Sequence, residues 1–407
     1  MTAQRAVVVI GAGCAGLAAG FEHARRGDRV VVLERAASVG GRAADGAFAP
    51  RVTTGDRALL ALVRATGAGD ELLPIRPVPS ASVTDGRVAP LAAGPRALPG
   101  VSWIESLRTA RLDRLLARYR RHLDASAPER AAPLDDRSLA DFATLYFGRG
   151  VVAGWLEPWL AERAPLDPAE ASRAAFLLRW NAERDAVAGA LGAPLATWLA
   201  ALGARLAVRT GVAAERIEPA GAGRLRVATA GEALDADAVV VAAPAPEALR
   251  IADAVLVPAE RSILAGVRYD AAIAWRAPAR DTGLAARVRI APRGASPLAS
   301  IAIERGHVFA IARDPWATAH LDVADDALAK EIAIAVEHAA PGIAAGPGAV
   351  RRFPIAWPRF DVGRYRAIAR LRAVEADRRA AGRPLAWAGD WLAAPTFDGA
   401  VASAIRD

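Results

Sequence analysis

One cysteine, one lysine and one methionine stand among 407 residues. With Cys14 alone, no intrachain disulfide can form, and a reducing compartment is the natural setting. The histidines His23, His122, His307, His320 and His338 fall into no HxH or HExxH spacing and have no cysteine pair to join, which argues against a metal centre. No apolar run reaches membrane-spanning length, and only Met1 to Arg5 precede the first apolar strand, too few for a signal peptide; a cytoplasmic location is expected. Repeats and low-complexity tracts are also missing. The net charge of +8 comes almost wholly from arginine. These arginines are spread among acids instead of being clustered with aromatics, so nucleic-acid binding is not expected.

What is present bounds the architecture. A chain of 407 residues that is 53% hydrophobic is too long for one compact core and has the apolar material for two domains. Between Ile104 and Leu123, apolar residues at helical spacing alternate with Arg108, Arg111, Arg114, Arg118 and Arg121, predicting a basic amphipathic helix. Such a helix can lie on an anionic membrane, so peripheral membrane contact stays open; a solvated arginine face on a soluble domain is the preferred reading.

The chemistry is concentrated at the N-terminus. An apolar strand, Ala6-Val7-Val8-Val9-Ile10, runs into Gly11-Ala12-Gly13-Cys14-Ala15-Gly16 and then a helix. Gly11 permits the tight turn, Gly13 lets backbone approach a pyrophosphate, and Gly16 lets the helix pack closely on the sheet. A second strand, Arg29-Val30-Val31-Val32-Leu33, delivers Glu34 where a carboxylate accepts a ribose 2′-hydroxyl. That acid would repel a 2′-phosphate. Glu34→Ala is therefore expected to weaken cofactor binding without unfolding the chain. These residues define a dinucleotide site but do not separate NAD from FAD.

The run Glu34-Arg35-Ala36-Ala37-Ser38-Val39-Gly40-Gly41-Arg42 resembles the extended FAD signature of the flavin-containing amine oxidase superfamily, whose protoporphyrinogen oxidase and phytoene desaturase-like branch is the nearest match. Gly40 and Gly41 expose N–H groups, and Arg42 adds a planar cationic partner for phosphate. At the other end, Trp387-Ala388-Gly389-Asp390-Trp391 and Pro395-Thr396-Phe397-Asp398-Gly399-Ala400-Val401 resemble the superfamily's C-terminal flavin segment. Asp237 to Pro244, including Ala243, resembles its second strand contribution, and the Val212 to Ile217 region, with Val212 and Ala214, would pass the adenine.

The resemblance implies an α/β fold, a Rossmann-like FAD/NAD(P)-binding domain interleaved with an α+β substrate domain. The FAD-binding domain would take residues 1–60, 200–255 and 375–407; the substrate domain would take 61–199, mainly helical, and 256–374, a sheet plus helix. In that second part, strands are expected at Arg287 to Ile290, Ser300 to Glu304 and His307 to Ile311, with a helix over Asp325 to Ala339. It further implies hydride removal at flavin N5 from a small hydrophobic substrate, cyclic or polyene, with oxygen or a quinone as electron acceptor. Amine oxidation, flavin-dependent isomerisation and a non-catalytic flavoprotein are the alternatives.

Departures from the family pattern mark the substrate side. Amine oxidases place a lysine near the flavin, whereas Lys330 lies on the polar face of a predicted helix. The stretch Phe48 to Gly55 puts Arg51 and Thr53 where relatives have an acid and a glycine, making Thr53 a candidate substrate-facing residue. Phe353-Pro354-Ile355-Ala356-Trp357-Pro358 resembles a Trp-x-x-Ala-x-Pro segment with phenylalanine first, so Trp357 and Trp391 are candidates to stack on a planar substrate.

Overall fold

The computed structural model describes residues 4–44, 46–73, 75–77, 80–84, 87–90, 101–163, 166–221, 223–280, 289–292, 296–382 and 384–405. A strand of five consecutive apolar residues is stable only where both faces are covered, and Ala6–Ile10, buried throughout, lies at the centre of a five-stranded parallel sheet. The order is Leu385–Trp387, Ala238–Val241, Ala6–Ile10, Arg29–Glu34 and Val208–Thr210. One sheet is thus assembled from three separated stretches of chain.

Helix Cys14–Arg25 covers one face with Leu17, Ala18 and Ala19, joined by Ala400 and Val401 of helix Phe397–Ala404. The other face is closed by Ile217, Val227, Ile251 and Trp387, partly from a small antiparallel sheet of Ala214–Pro219, Leu225–Thr229 and Ala233–Ala236. Arg29–Glu34 and Ala238–Val241 leave Ala6–Ile10 in opposite directions. A crevice therefore opens at the C-terminal ends of these strands, where open parallel sheets bind ligands.

The rest of the chain forms a helical cluster and a second sheet. In the helical cluster, Trp155 meets Phe176 and Trp180 edge-on, at centroid distances of 5.7 and 5.0 Å, while Phe176 and Trp180 stack on each other. The second sheet has seven strands in the order Ala349–Pro358, Tyr269–Pro278, His307–Arg313, Leu298–Glu304, Arg289–Pro292, Ser80–Thr84, Arg87–Pro90. Helix Asp325–Ala339 packs Leu328, Ile332 and Val336 into its core. Residues 287 and 288 of the strand expected at Arg287 to Ile290 lie outside the described residues.

This sheet takes two strands from the segment expected to be mainly helical. Ser80–Thr84 adds parallel to Arg289–Pro292, and Arg87–Pro90 pairs back on it. The run Ser80-Ala81-Ser82-Val83-Thr84 alternates polar with apolar residues, but its apolar positions are one alanine and one valine and only Val83 and Thr84 favour strands, so it carries little strand signal of its own. A third small sheet, Val52–Thr53, Ala188–Ala190 and Arg76–Pro77, further ties that segment to the nucleotide-binding part.

The basic amphipathic stretch is two helices. Trp103–Arg108, opened by a Ser102–Glu105 capping box, exposes Trp103 and Leu107; Arg111–Tyr119 buries Leu112, Leu115 and Leu116 in the helical cluster. Among the described residues no helix is long and apolar enough to cross a membrane.

A buried ion pair locks helix Pro258–Ala265 to helix Arg364–Ala380. Glu260 has no exposed side-chain surface and accepts two hydrogen bonds from Arg378 Nε at 3.0 and 3.1 Å, as well as one from the Val257 N–H at 3.1 Å. Removing one partner leaves the other charge buried and uncompensated. Glu260→Ala should therefore lower the unfolding free energy by on the order of 3–5 kcal/mol in urea titration, with Glu260→Gln falling between it and the unsubstituted protein.

Candidate cofactor and substrate site

The glycine turn is built by contacts that no side chain could survive. Gly11 has φ +101°, and a Cβ there would lie 2.9 Å from the Ala242 carbonyl oxygen. A Cβ on Gly16 would lie 1.8 Å from the Gly11 carbonyl oxygen. At Gly13 the opposite holds: an added Cβ meets nothing within 4 Å. Gly13 is also the N-cap of helix Cys14–Arg25, with no side chain capping it and no acid in its first turn. Open space over uncapped N–H groups at the positive end of a helix is the condition for holding a phosphate. The turn therefore fits the pyrophosphate of a dinucleotide.

Glu34 closes the turn. Its carboxylate accepts the Ala12 N–H at 2.7 Å and the Ala36 N–H at 2.8 Å, leaving further lone pairs towards the crevice. Glu34 thus also holds the loop on both sides of itself. Arg42 lies on the cavity wall, where it donates to the Ala356 carbonyl and, at 2.5 Å, to Asp390. It therefore joins the Gly40-Gly41 turn to the C-terminal segment. Gly389 N–H donates to Ser403 Oγ at 2.8 Å, fixing the loop that carries Asp390.

A cavity of about 580 Å³ connects these groups to the second domain. Gly11, Gly13, Cys14, Ala15, Glu34, Arg35, Gly40, Gly41 and Arg42 line it from the first segment; Val212, Ala214 and Ala243 from the second; Gly389, Asp390, Trp391 and Ala400 from the last. Gly16, Gly399 and Val401 do not line it. Gly16 packs on the turn, Val401 is fully buried, and a Cβ on Gly399 would lie 2.3 Å from the Ala394 carbonyl oxygen. These three shape the site by packing, not by contact.

On the substrate side, Trp357 lines the cavity and packs on Phe48, whose ring also meets Phe353 at a centroid distance of 4.7 Å. Trp391 forms a wall, only 1% exposed, with Arg364 over its ring and its Nε1–H donating to the Ala243 carbonyl at 3.3 Å. Thr53 is not substrate-facing. It is fully buried, its N–H donates to Asp56 at 2.6 Å, and its hydroxyl accepts from Gly55 N–H at 3.1 Å. Arg51, two residues before it, lines the cavity, while Thr53 is held in the turn to Asp56. Lys330 is exposed on helix Asp325–Ala339. Burial pushes the Cys14 thiol up to about 12, so it packs as a neutral group.

Sequence reasoning missed Arg163, Arg179 and Glu183. Arg179 and Glu183 are one turn apart on helix Arg173–Glu183, flanked by Phe176, Leu177 and Trp180; a charged i, i+4 pair within such an apolar stretch was the available signal. Glu183 takes Arg51 at 2.9 Å and Arg163 at 2.6 Å, as well as Arg179. Burial alone would raise its carboxyl, but the guanidiniums, Arg179 foremost, outweigh it and hold it down to about 2. Asp398, whose Oδ1 accepts the Leu59 N–H at 3.0 Å, goes the other way: burial, then the neighbouring charge of Asp56, pushes its carboxyl up to about 6.

Uncapped turn, buried acid and crevice at the sheet reversal make a site of the dinucleotide-binding kind. Residues 9–62 match the model of the NAD(P)-binding Rossmann-like domain. No curated protein sequence matches the chain. Among solved structures, it is similar to a provisionally assigned protoporphyrinogen oxidase from Exiguobacterium sp. 255-15, at 18% identity and TM-score 0.74, with 100% of this chain and 98% of that one covered. A conjugated linoleic acid (CLA)-producing fatty acid isomerase from P. acnes is similar at 14% identity and TM-score 0.72, with 100% and 98% covered. Cyclohexylamine oxidase from Brevibacterium oxydans IH-35A follows at 17% identity and TM-score 0.66, with 99% and 97% covered. The chain shares the fold of these proteins.

Two outcomes are expected of substitutions here. Glu34→Gln, which keeps one carbonyl oxygen for the loop, should weaken FAD binding about tenfold in equilibrium dialysis, whereas Glu34→Ala should also cost roughly 1–3 kcal/mol of stability for each N–H it strands. A carboxyl raised by folding destabilises the native state above its folded pKa and ceases to do so as pH falls through that value towards the unfolded one. For Asp398 that window runs from about 6 down to the ordinary carboxyl value of 3.8. Asp398→Asn should therefore be the more stable form above pH 6, by on the order of 2–3 kcal/mol in denaturant titration, with the gap closing on acidification.

Proposed function

We propose that this chain is an FAD-dependent oxidoreductase that removes hydride from a small apolar substrate, cyclic or polyene, and passes the electrons to oxygen or a quinone. A cytoplasmic location, with peripheral contact to a membrane for a lipid-soluble substrate, belongs to the same reading. One observation carries it: a single cavity begins at the glycine turn and Glu34 and ends at an aromatic wall of Phe48, Phe353 and Trp357. Bound FAD supplies the two-electron acceptor. The residues of the chain bind, orient and exclude water.

The first helix holds the pyrophosphate by its dipole and N–H groups, and Glu34 fixes the ribose. The Arg42–Asp390 pair sets the distance between the two flavin-binding segments. Helix Phe397–Ala404, whose Thr396 side chain accepts from Gly399 N–H at 3.0 Å, presents the positive end of its dipole beside the cavity, where negative charge formed on reduction is favoured. The apolar wall keeps the reacting carbon dry and in van der Waals contact.

Isomerisation without net redox change is the second reading, supported by the similarity to the P. acnes fatty acid isomerase. Amine oxidation is disfavoured, since the sole lysine is exposed and arginines line the substrate side. The purified protein should show a two-banded flavin spectrum and release FAD on denaturation. Under argon, a substrate that is oxidised should bleach the flavin in single turnover; turnover that needs prereduced flavin and leaves it reduced would replace oxidation by isomerisation. A protein that takes up no FAD would refute both.

A further inference from the structure

The outer face of the two basic helices carries one line of residues. Trp103, Leu107, Arg111, Arg114 and Arg118 follow one another at intervals of four, four, three and four, the spacing that keeps side chains on one side of a helix. The join does not break it: Thr109 (φ −64°, ψ −20°) and Ala110 (φ −59°, ψ −18°) keep right-handed helical backbone between Trp103–Arg108 and Arg111–Tyr119. Leu112, Leu115 and Leu116 take the other side into the helical cluster. Along the line, Trp103 is 73% and Leu107 65% exposed, and the three arginines are exposed with them, as are Arg108, Arg120 and Arg121 in the same stretch. None of these six arginines makes an ion-pair contact with a described carboxylate: Arg111 donates to the Tyr146 carbonyl at 3.3 Å, Arg118 lies over the Tyr119 ring and Arg121 donates to His122. The two acids of residues 103–121 are engaged elsewhere. Glu105 accepts the Ser102 and Gly150 N–H groups at 3.0 and 2.8 Å, with Arg108 in its electrostatic reach, and Asp113 takes Arg184 at 3.1 Å.

An exposed indole and leucine beside unpaired guanidiniums call for a surface that is apolar below and anionic above. A bilayer with anionic headgroups is such a surface: it takes an indole at headgroup level, leucine against the acyl chains and arginines on the lipid phosphates. Resting on the reading of a lipid-soluble substrate above, we propose that this face seats the protein on an anionic membrane, with Trp103 and Leu107 entering the interface and Arg111, Arg114 and Arg118 lying on the headgroups. A nucleic acid would pair with the arginines but has no apolar phase for Leu107. A second copy of this chain, meeting the same face symmetrically, would set arginine against arginine.

Co-sedimentation of the FAD-loaded protein with phosphatidylcholine vesicles, with and without phosphatidylglycerol, tests this. At low salt the anionic vesicles should be bound at least about tenfold more tightly than the neutral ones, and the difference should collapse in about 1 M salt, where the screening length is roughly 3 Å. Arg114→Glu combined with Arg118→Glu should remove the preference for anionic vesicles. Trp103→Ser combined with Leu107→Ser should weaken binding to them about tenfold, and both double variants should keep FAD stoichiometry and thermal midpoint. Equal binding to the two kinds of vesicle, or a preference that survives the charge reversal, would overturn the proposal. So would displacement from the vesicles by a double-stranded oligonucleotide at equal phosphate concentration, which favours nucleic acid, or a dimer in light scattering that the Trp103→Ser, Leu107→Ser variant loses, which favours a second copy. Should the double variants fold poorly, the unsubstituted protein decides by its vesicle preference and its salt dependence. FAD-loaded protein that ignores anionic vesicles removes this inference alone. Protein that binds them but takes up no FAD removes the proposed function and leaves this face standing.

Discussion

The site depends on an approach between backbone segments that leaves no room for a Cβ. Gly11 lies against the end of strand Ala238–Val241, and Gly16 lies against Gly11, so the first helix, the first strand and a strand from the middle of the chain meet at one point. Everything that holds a nucleotide follows from that closeness. It aims uncapped N–H groups into the crevice, brings Glu34 to the Ala12 N–H, and sets Ala243 beside the turn. The penalty for a side chain here is steric overlap with backbone, which neighbouring rotamers cannot relieve.

Charge is organised around this point in two arrangements with different purposes. Arg42 and Asp390 are matched one to one and act as a tie between distant segments. The arginines near Glu183 are gathered on one side of it, with their carboxylate partners set back from the cavity. A matched pair joins two segments across the crevice, whereas several guanidiniums converging on Glu183 hold a buried carboxylate ionised.

How much of this could be read from sequence follows from how local each determinant is. The turn, Glu34 and Gly40-Gly41-Arg42 lie within one βαβ unit, where spacing alone fixes geometry, and the strands at Ala6–Ile10, Arg29–Glu34 and Ala238–Val241 could be drawn because each is an apolar run with a clear end, whereas Val208–Thr210 and Leu385–Trp387 are three residues each and carry no such pattern. Thr53 failed because its N–H and hydroxyl are taken by the turn to Asp56 and Gly55, a tertiary detail that buries it while Arg51 lines the cavity. Strands Ser80–Thr84 and Arg87–Pro90 were missed because they join a sheet whose other members are remote in sequence. Arg163 and Arg179 read as ordinary helix charges until tertiary packing placed them at one acid.

The three-part sheet also bears on how the chain comes off the ribosome. Ala6–Ile10 can pair at once with Arg29–Glu34, but its other edge stays open until Ala238–Val241 has been made, and that strand in turn waits for Leu385–Trp387. At roughly 5–20 residues per second, these intervals amount to on the order of ten seconds or more each. For that time an apolar strand stands with unpaired N–H and C=O groups along one side, a template for pairing with other chains. The nascent protein would therefore be expected to engage chaperones early and release them late, and its yield in a cell to depend on the pace of translation as much as on the stability of the finished fold.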